Sequence, residues 1–81
     1  MTLYWVNTSG GNWYDNTNWA TTSGGSTHPA VPPTTTDSVV FDRSATYTVT
    51  VTAGSECLDI TVTAGAVTFS GGAINLSLIH I

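Results

Sequence analysis

Apolar and polar residues alternate one by one along the second half of the chain. In residues 46–52, Tyr47, Val49 and Val51 alternate with threonines, and residues 58–63 repeat the alternation. Shorter stretches of the same kind are 67–69 and the single Ile74. Because side chains on a strand point to opposite faces in turn, this period of two predicts strands with one buried face. No stretch has the period of an amphipathic helix, so the pattern predicts an all-β fold.

The strand candidates are separated by short breaks that contain glycine, and one pentapeptide occurs twice. Thr-Val-Thr-Ala-Gly stands at 50–54 and again at 61–65, an offset of eleven residues. The breaks are expected at 53–55, 64–66 and 70–72. Short strands at this spacing are compatible with a sandwich, a barrel or a β-solenoid. None of the breaks is Asn-Gly or Asp-Gly, the strongest hairpin signals, but glycine corners suit both hairpins and coils. Both kinds of pairing therefore stay open.

The first part of the chain has a different composition, rich in Gly, Asn, Ser and Trp. It contains one strand candidate, 3–6, followed by a turn-forming cluster at 7–12. Three prolines and adjacent glycines predict a loop over 20–36. We therefore divide the chain into two regions, 1–36 and 37–75.

Charged residues are sparse, and this excludes two classes of partner. Only 7% of the 81 residues are charged, the net charge is -4, and Arg43 is the sole basic side chain. Binding to nucleic acid or to an anionic membrane surface needs clustered Lys and Arg, so neither partner is expected. No apolar run approaches the length of a membrane span, so membrane insertion is not expected either.

Two further features bear on the compartment. Cys57 is the only cysteine, so an intrachain disulfide is excluded, and without an electropositive neighbour it is expected to be a small half-buried side chain. The N-terminal residues lack the basic and apolar regions of a signal peptide. If Met1 is the true start, this favours a protein assembled inside a cell, such as a phage virion component.

The last six residues, 76–81, read Leu-Ser-Leu-Ile-His-Ile. The mosaic-end sequence of a common transposase-based sequencing library encodes the same six residues. We therefore expect 76–81 to be adapter read-through and the native sequence to break off near Asn75. On this interpretation His80 is not a candidate functional residue.

The spaced aromatic residues of the chain carry a family resemblance. The residues concerned are Tyr4-Trp5-Val6, Gly11-Asn12-Trp13-Tyr14-Asp15, Asn18-Trp19, Val31-Pro32 and Asp37-Ser38-Val39-Val40-Phe41. Their order, followed by Thr/Val strands and Gly turns, resembles the N-terminal region of bacterial and phage β-helix proteins, including large phage structural proteins and autotransporter-type adhesins. The resemblance covers nearly all of residues 3–75.

The resemblance implies the N-terminal cap and first coils of a right-handed parallel β-helix, and a small antiparallel β-sandwich is the alternative. The first coil of a solenoid exposes an apolar end, which a terminal unit must cover. Trp5, Trp13 and Trp19 are the residues that we expect to cover it, since each ring buries a large area. Residues 1–36 are then the cap, and 37–75 are the coils.

The aromatic residues also suggest a second use. The three tryptophans with Tyr4 and Tyr14 could offer flat faces on which sugar rings stack. Tryptophans at long, irregular spacing with Gly and Asn between them more often fill a core, which is the interpretation that we favour. Tyr4 and Tyr14 are kept as candidate glycan contacts.

Candidate metal and catalytic residues lack a supporting pattern. Four aspartates invite a calcium hypothesis, but they have no Asp-x-Asp or EF-hand-like spacing: Asp15, Asp37, Asp42 and Asp59. Asp37 precedes a strand, where an aspartate usually accepts hydrogen bonds from a turn. His28 is the only credible base, and no recognisable motif links it to a nucleophile. We therefore expect no metal, no cofactor and no catalysis in this chain.

The predicted function is a non-catalytic structural segment of a phage virion or tail-associated β-helical protein, present here as a fragment from metagenomic sequence. The first alternative is the N-terminal part of a secreted autotransporter-like bacterial adhesin, and the second is a carbohydrate-binding module. The expected location is a virion or a cell surface. The expected partners are the rest of the same chain and virion proteins or copies of itself in a homotrimer, with host or glycan contact made downstream.

Overall fold

The structure is a computed structural model that describes residues 1–51, 55–71 and, by their backbone, 75–76. The described residues form nine short strands and one 3₁₀ turn, so the predicted all-β class is confirmed. The strands are β1 (Thr2–Trp5), β2 (Gly11–Asn12), β3 (Trp19–Ala20), β4 (Ser38–Phe41), β5 (Thr46–Val51), β6 (Glu56–Cys57), β7 (Asp59–Val62), β8 (Ala66–Gly71) and β9 (Asn75–Leu76), with the 3₁₀ turn at Asn16–Asn18.

The strands pair in three sheets, mostly in parallel. The first sheet has the order β3-β1-β4-β7, the second β2-β5-β8, and the third β6-β9. Every described pair is parallel except β1 with β3, which is antiparallel. The antiparallel sandwich considered above would pair consecutive strands in hairpins, whereas β4 and β5 each pair with a strand further along the chain.

Three of the parallel pairs share a nearly constant sequence offset. Ser38 of β4 faces Asp59 of β7, and Thr46 of β5 faces Ala66 of β8. The backbone of Glu56 faces that of Asn75. The offset of the second pair is slightly shorter than that of the first, because the turn before β5 covers 42–45 and the turn before β8 covers only 63–65. From β4 onward the chain therefore returns to each sheet after about twenty residues, whereas the earlier parallel pairs have longer offsets, as between Thr2 of β1 and Ser38 of β4 and between Gly11 of β2 and Val49 of β5.

Every second side chain of the longer strands points into the core, as the period of two predicted. In β5, Tyr47, Val49 and Val51 are buried, and the intervening threonines are exposed. In the first sheet, Leu3 stands beside Val39, and Val39 stands beside Ile60 in the next pair. Apolar side chains at equivalent positions of successive strands therefore stack on one another inside the molecule.

The first part of the chain contains more strand than its composition predicted. The predicted turn at 7–12 contains β2, because Gly10 takes a positive φ of 86° and turns the next two residues along β5. A Cβ on Gly10 would meet the backbone of Thr48, so only glycine fits this approach. Two-residue strands have no periodicity, and the sequence pattern therefore missed β2 and β3.

Two predicted breaks are shifted in the structure. Ala66 opens β8, and residues 70–71 continue it, so strand pairing with β5 extends further than the Gly-rich sequence indicated. Ile74 and residues 77–81 lie outside the described residues, and of the expected adapter segment only the backbone of Leu76 is described, paired with Cys57.

Candidate functional site

The three tryptophans meet in one buried cluster, together with two aromatic residues of the later strands. Trp5, Trp13 and Trp19 are all fully buried. The Trp19 ring lies edge-on to both others, with ring centroids 5.1 Å from Trp5 and 4.9 Å from Trp13. The Phe41 ring lies 5.8 Å from Trp5, and the Tyr47 ring is stacked on Trp5 at 6.2 Å. The cluster thus joins residues 1–36 to the strands of 37–75.

Local structure brings the three rings together. Trp5 closes β1 and faces Trp19 in the antiparallel β1–β3 pair. Trp13 follows β2. Its backbone N–H donates to the Thr50 carbonyl oxygen at 2.8 Å, which fixes the Trp13 backbone beside β5 in the second sheet. The 3₁₀ turn then returns the chain to β3, with the carboxylate of Asp15 accepting from the Thr17 N–H as its N-terminal cap.

Two of the three indole N–H groups have partners at the edge of the cluster. Trp5 Nε1 donates to the Asn7 carbonyl oxygen at 2.6 Å, and Trp19 Nε1 donates to the Trp13 carbonyl oxygen at 2.9 Å. Trp13 Nε1 is buried and has no partner among the described residues. Two further buried atoms share this condition, the Tyr47 hydroxyl and the Ser55 hydroxyl. An unpaired buried polar group costs about 1–3 kcal/mol, so these three atoms weaken the core.

A buried amide holds the turns around the tryptophans, and the sequence pattern gave no indication of it. Asn18 Nδ2 donates to the Asn12 carbonyl oxygen, and Asn18 Oδ1 accepts from Asn7 Nδ2, both at 2.9 Å. The backbone of Asn18 accepts from the Val6 N–H at 2.9 Å. Asn18 therefore ties separate stretches near the start of the chain together. Its position directly before a tryptophan is the only sequence signal that it gives.

The two tyrosines suggested as glycan contacts, Tyr4 and Tyr14, lie apart from this cluster. Tyr14 is 53% exposed and follows β2, while Tyr4 is half-buried in β1 between Ala20 and Val40. Because all three indole rings are buried, the described structure offers only the tyrosines as exposed aromatic surface for a sugar ring in this region, and it does not bring them into ring contact with each other.

The aspartates of the calcium hypothesis serve separate local structures. Hydrogen bonds from the Thr17 hydroxyl and N–H hold the pKa of Asp15 below its usual range. Asp37 accepts from the Thr34 N–H at 2.9 Å, and its other oxygen lies 3.5 Å from the N-terminal ammonium of Met1. Asp37 is thus a turn residue, as its position before β4 suggested.

The remaining two aspartates are engaged elsewhere. Asp42 accepts from Arg43 Nε at 3.2 Å and from the Ser23 hydroxyl, which fastens the 20–36 loop to the corner after β4. Asp59 opens β7 opposite Ser38. Within the described residues, no group of three or more His, Cys, Asp or Glu side chains is arranged to hold a metal ion.

His28 and Cys57 are likewise held by local structure. His28 Nδ1 lies 2.8 Å from the Trp19 carbonyl oxygen, and since a carbonyl only accepts, this nitrogen carries the proton. Cys57 is fully buried in the core, and burial raises the pKa of its thiol to about 12. The thiol is therefore protonated at neutral pH and unreactive.

A binding pocket and a membrane-spanning helix are both absent from the part of the chain that the structure describes. These residues enclose no pocket for a small molecule. No described helix has the length and apolarity that crossing a bilayer requires. Comparison with models of known protein families, with curated proteins and with solved structures finds no match to this chain.

Proposed function

We propose that this chain is a non-catalytic structural segment, the cap and first coils of a right-handed parallel β-helix that belongs to a phage virion or tail-associated protein. The observation that carries the proposal is the set of parallel strand pairs that recur at a nearly constant sequence offset in three different sheets. A coil of about twenty residues that turns through three strands and then stacks on the previous coil produces this pattern. A sandwich of hairpins does not.

Crossover chirality supports the handedness in this proposal. Each pair of parallel strands is joined by a connection that leaves the sheet and returns to it, as between β4 and β7. Such connections are right-handed in about 98% of known cases, because a twisted strand packs its crossover back onto the sheet in that hand.

The two ends of the stack are covered unequally, which supports the assignment of cap and coils. At one end, β3 and the tryptophan cluster enclose Leu3 and Val39, which are buried. At the other end, Phe69 occupies an inward position beside the buried Val49, yet 38% of Phe69 is exposed. In a growing β-helix the next coil would cover Phe69, and the first end would need its own cap.

The phage and adhesin proposals share this architecture and differ in their genetic setting. Extending the source sequence in both directions tests them. The phage proposal expects Thr/Val strands to continue at intervals of about twenty residues, in place of 76–81, with capsid, tail or terminase genes nearby. An upstream signal peptide and neighbouring secretion genes would instead identify an autotransporter-like adhesin. Native coding sequence that runs through 76–81 unchanged would contradict the adapter interpretation.

The carbohydrate-binding alternative is supported only by exposed Tyr14. Screening the 81-residue chain on a glycan array separates it from the structural proposal. Binding that is lost in Tyr14→Ala with the fold retained would support a binding module and contradict a purely structural role. The structural proposal expects no glycan signal above that of the unfolded chain.

A further inference from the structure

The outward face of the second sheet carries a regular array of hydroxyl groups. We call it the hydroxyl face. It consists of the hydroxyls of Thr46, Thr48, Thr50, Thr68 and Ser70, with the amide side chain of Asn12 beside them, and all six residues are exposed. The alternation of β5 puts its three threonines on one side, and the parallel register with β8 extends the array to a second strand.

The array is ordered in two directions. Across the strands, Thr48 stands beside Thr68, and Thr50 stands between Asn12 and Ser70. Neighbouring strands lie about 4.7–4.9 Å apart, and every second residue of a strand recurs after about 6.6 Å. Five hydroxyls therefore occupy positions of a two-dimensional lattice, in which Ala66 stands beside Thr46 and the amide of Asn12 beside Thr50.

The hydroxyl groups of this face are free to bind something outside the protein. Among the described residues, the hydroxyls of Thr46, Thr48, Thr50, Thr68 and Ser70 make no hydrogen bond to a protein group. The buried side chains of Tyr47, Val49 and Val51 lie directly beneath and fix the strand that carries three of them. These hydroxyls therefore have no hydrogen-bond partner among the described residues, and the core fixes the strand that carries three of them.

The composition of the face restricts the class of ligand. Strands β2, β5 and β8 contain no Asp, Glu, Lys or Arg, so the face has no charge for an ionic ligand. The described residues form no pocket that would enclose a small molecule. By contrast, the outward positions of the first sheet mix the hydroxyls of Thr2, Ser38 and Thr61 with the side chains of Tyr4, Val40 and Asp59, of which Asp59 is charged. Among the described strands, the densest array of hydroxyls is on the second sheet, where five of the six outward positions of β5 and β8 carry one.

We propose that the hydroxyl face binds the surface of ice. A threonine hydroxyl both donates and accepts hydrogen bonds, as water does, so it can replace a water molecule of an ordered layer. The methyl groups between the hydroxyls release their hydration water when they are covered. Holding a water molecule in place normally has an entropic cost, but water in ice is already fixed. The face therefore matches a regular, uncharged surface of water, and this inference rests on the second sheet and not on the proposed β-helix.

Uptake into growing ice tests the proposal. The 81-residue chain, fused at its C-terminus to a fluorescent protein, is frozen slowly onto a cold finger, and fluorescence in the ice is compared with that in the liquid. We expect at least a several-fold enrichment in ice over the fluorescent protein alone. Thr48→Lys should reduce the enrichment to background, because a charged, longer side chain lifts the face off a flat surface.

Matched variants separate a loss of the site from a loss of the fold. Thr8→Lys adds the same charge at an exposed turn position away from the sheet and should keep the enrichment. Thr68→Lys on β8 should repeat the effect of Thr48→Lys, with circular dichroism of the unfused chains showing strand content unchanged. No enrichment of the folded chain, or equal enrichment in Thr8→Lys and Thr48→Lys, would overturn the proposal. So would exclusion from ice combined with sedimentation on cellulose or chitin.

Discussion

Replacing Trp5 by alanine is the sharpest perturbation of the tryptophan cluster. Trp5 is fully buried and contacts three other rings, those of Trp19, Phe41 and Tyr47. Its indole N–H also supplies the hydrogen bond to the Asn7 carbonyl oxygen. Removing the ring therefore opens a cavity between the first residues and the later strands, and it leaves one acceptor without its donor.

The expected loss is large relative to the stability of so small a chain. Truncating a buried tryptophan to alanine costs about 3–5 kcal/mol. Stability of about 0.05–0.15 kcal/mol per residue gives roughly 4–12 kcal/mol for a chain of this length. Trp5→Ala should therefore remove between about a quarter and all of the free energy of unfolding. Because the cavity sits where both regions meet, we expect the whole chain to lose stability together.

Urea unfolding followed by tryptophan fluorescence measures this loss. Low micromolar protein suffices, and the two remaining indoles report the transition. Tyr14→Ala is the matched control, since it also removes an aromatic ring but one that is 53% exposed. Its change should stay within about 0.5 kcal/mol. A Trp5→Ala variant that unfolds at the same urea concentration as the parent would refute the idea that the tryptophans form a core joining the two regions.

Three other properties follow from the structure. Tyr47→Phe should leave stability equal or raise it by about 1 kcal/mol, because its buried hydroxyl has no partner among the described residues, and a loss above about 1 kcal/mol in urea unfolding would reveal one. Burial raises the pKa of Cys57 from 9.0 to about 12, so the stability present below pH 9 should fall as the pH rises toward 12. The fall should be smaller in Cys57→Ala, and an equal fall would contradict this. Phe69→Asp should reduce concentration-dependent association in sedimentation velocity and Tyr14→Asp should not, whereas a parent chain that stays monomeric would argue against an open end at β8.

The sequence predicted which side chains face inward but not which strands are partners. The alternation of Tyr47, Val49 and Val51 fixes a buried face, and the structure confirms it. The same alternation is satisfied by a hairpin and by a stack of coils, because it contains no information about the neighbouring strand. The register of β5 on β8 depends on the lengths of the turns between them, and a change of one residue shifts it.

The sequence likewise predicted that the tryptophans are buried, but not what they pack against. Three large rings in a chain with few other large apolar residues must be buried somewhere, so Trp5, Trp13 and Trp19 could be assigned to a core from their size. Their packing against Phe41 depends on the β1–β4 pair, which no local pattern indicated. The buried amide of Asn18 also escaped prediction, because its partners are backbone and amide groups of nearby turns, and these turns have no periodic pattern.

Disulfide formation between pairs of introduced cysteines tests the parallel stack most directly. In a Cys57→Ala background, the parallel register places position 46 beside 66 and position 50 beside 70. Strands about 4.7–4.9 Å apart bring such pairs within the roughly 4.4–6.8 Å that a disulfide bridges. An antiparallel pair centred on 48 and 68 would instead bring 46 beside 70 and 50 beside 66. The account predicts rapid oxidation of 46/66 and 50/70 and none of 46/70 or 50/66, and the opposite result would contradict it.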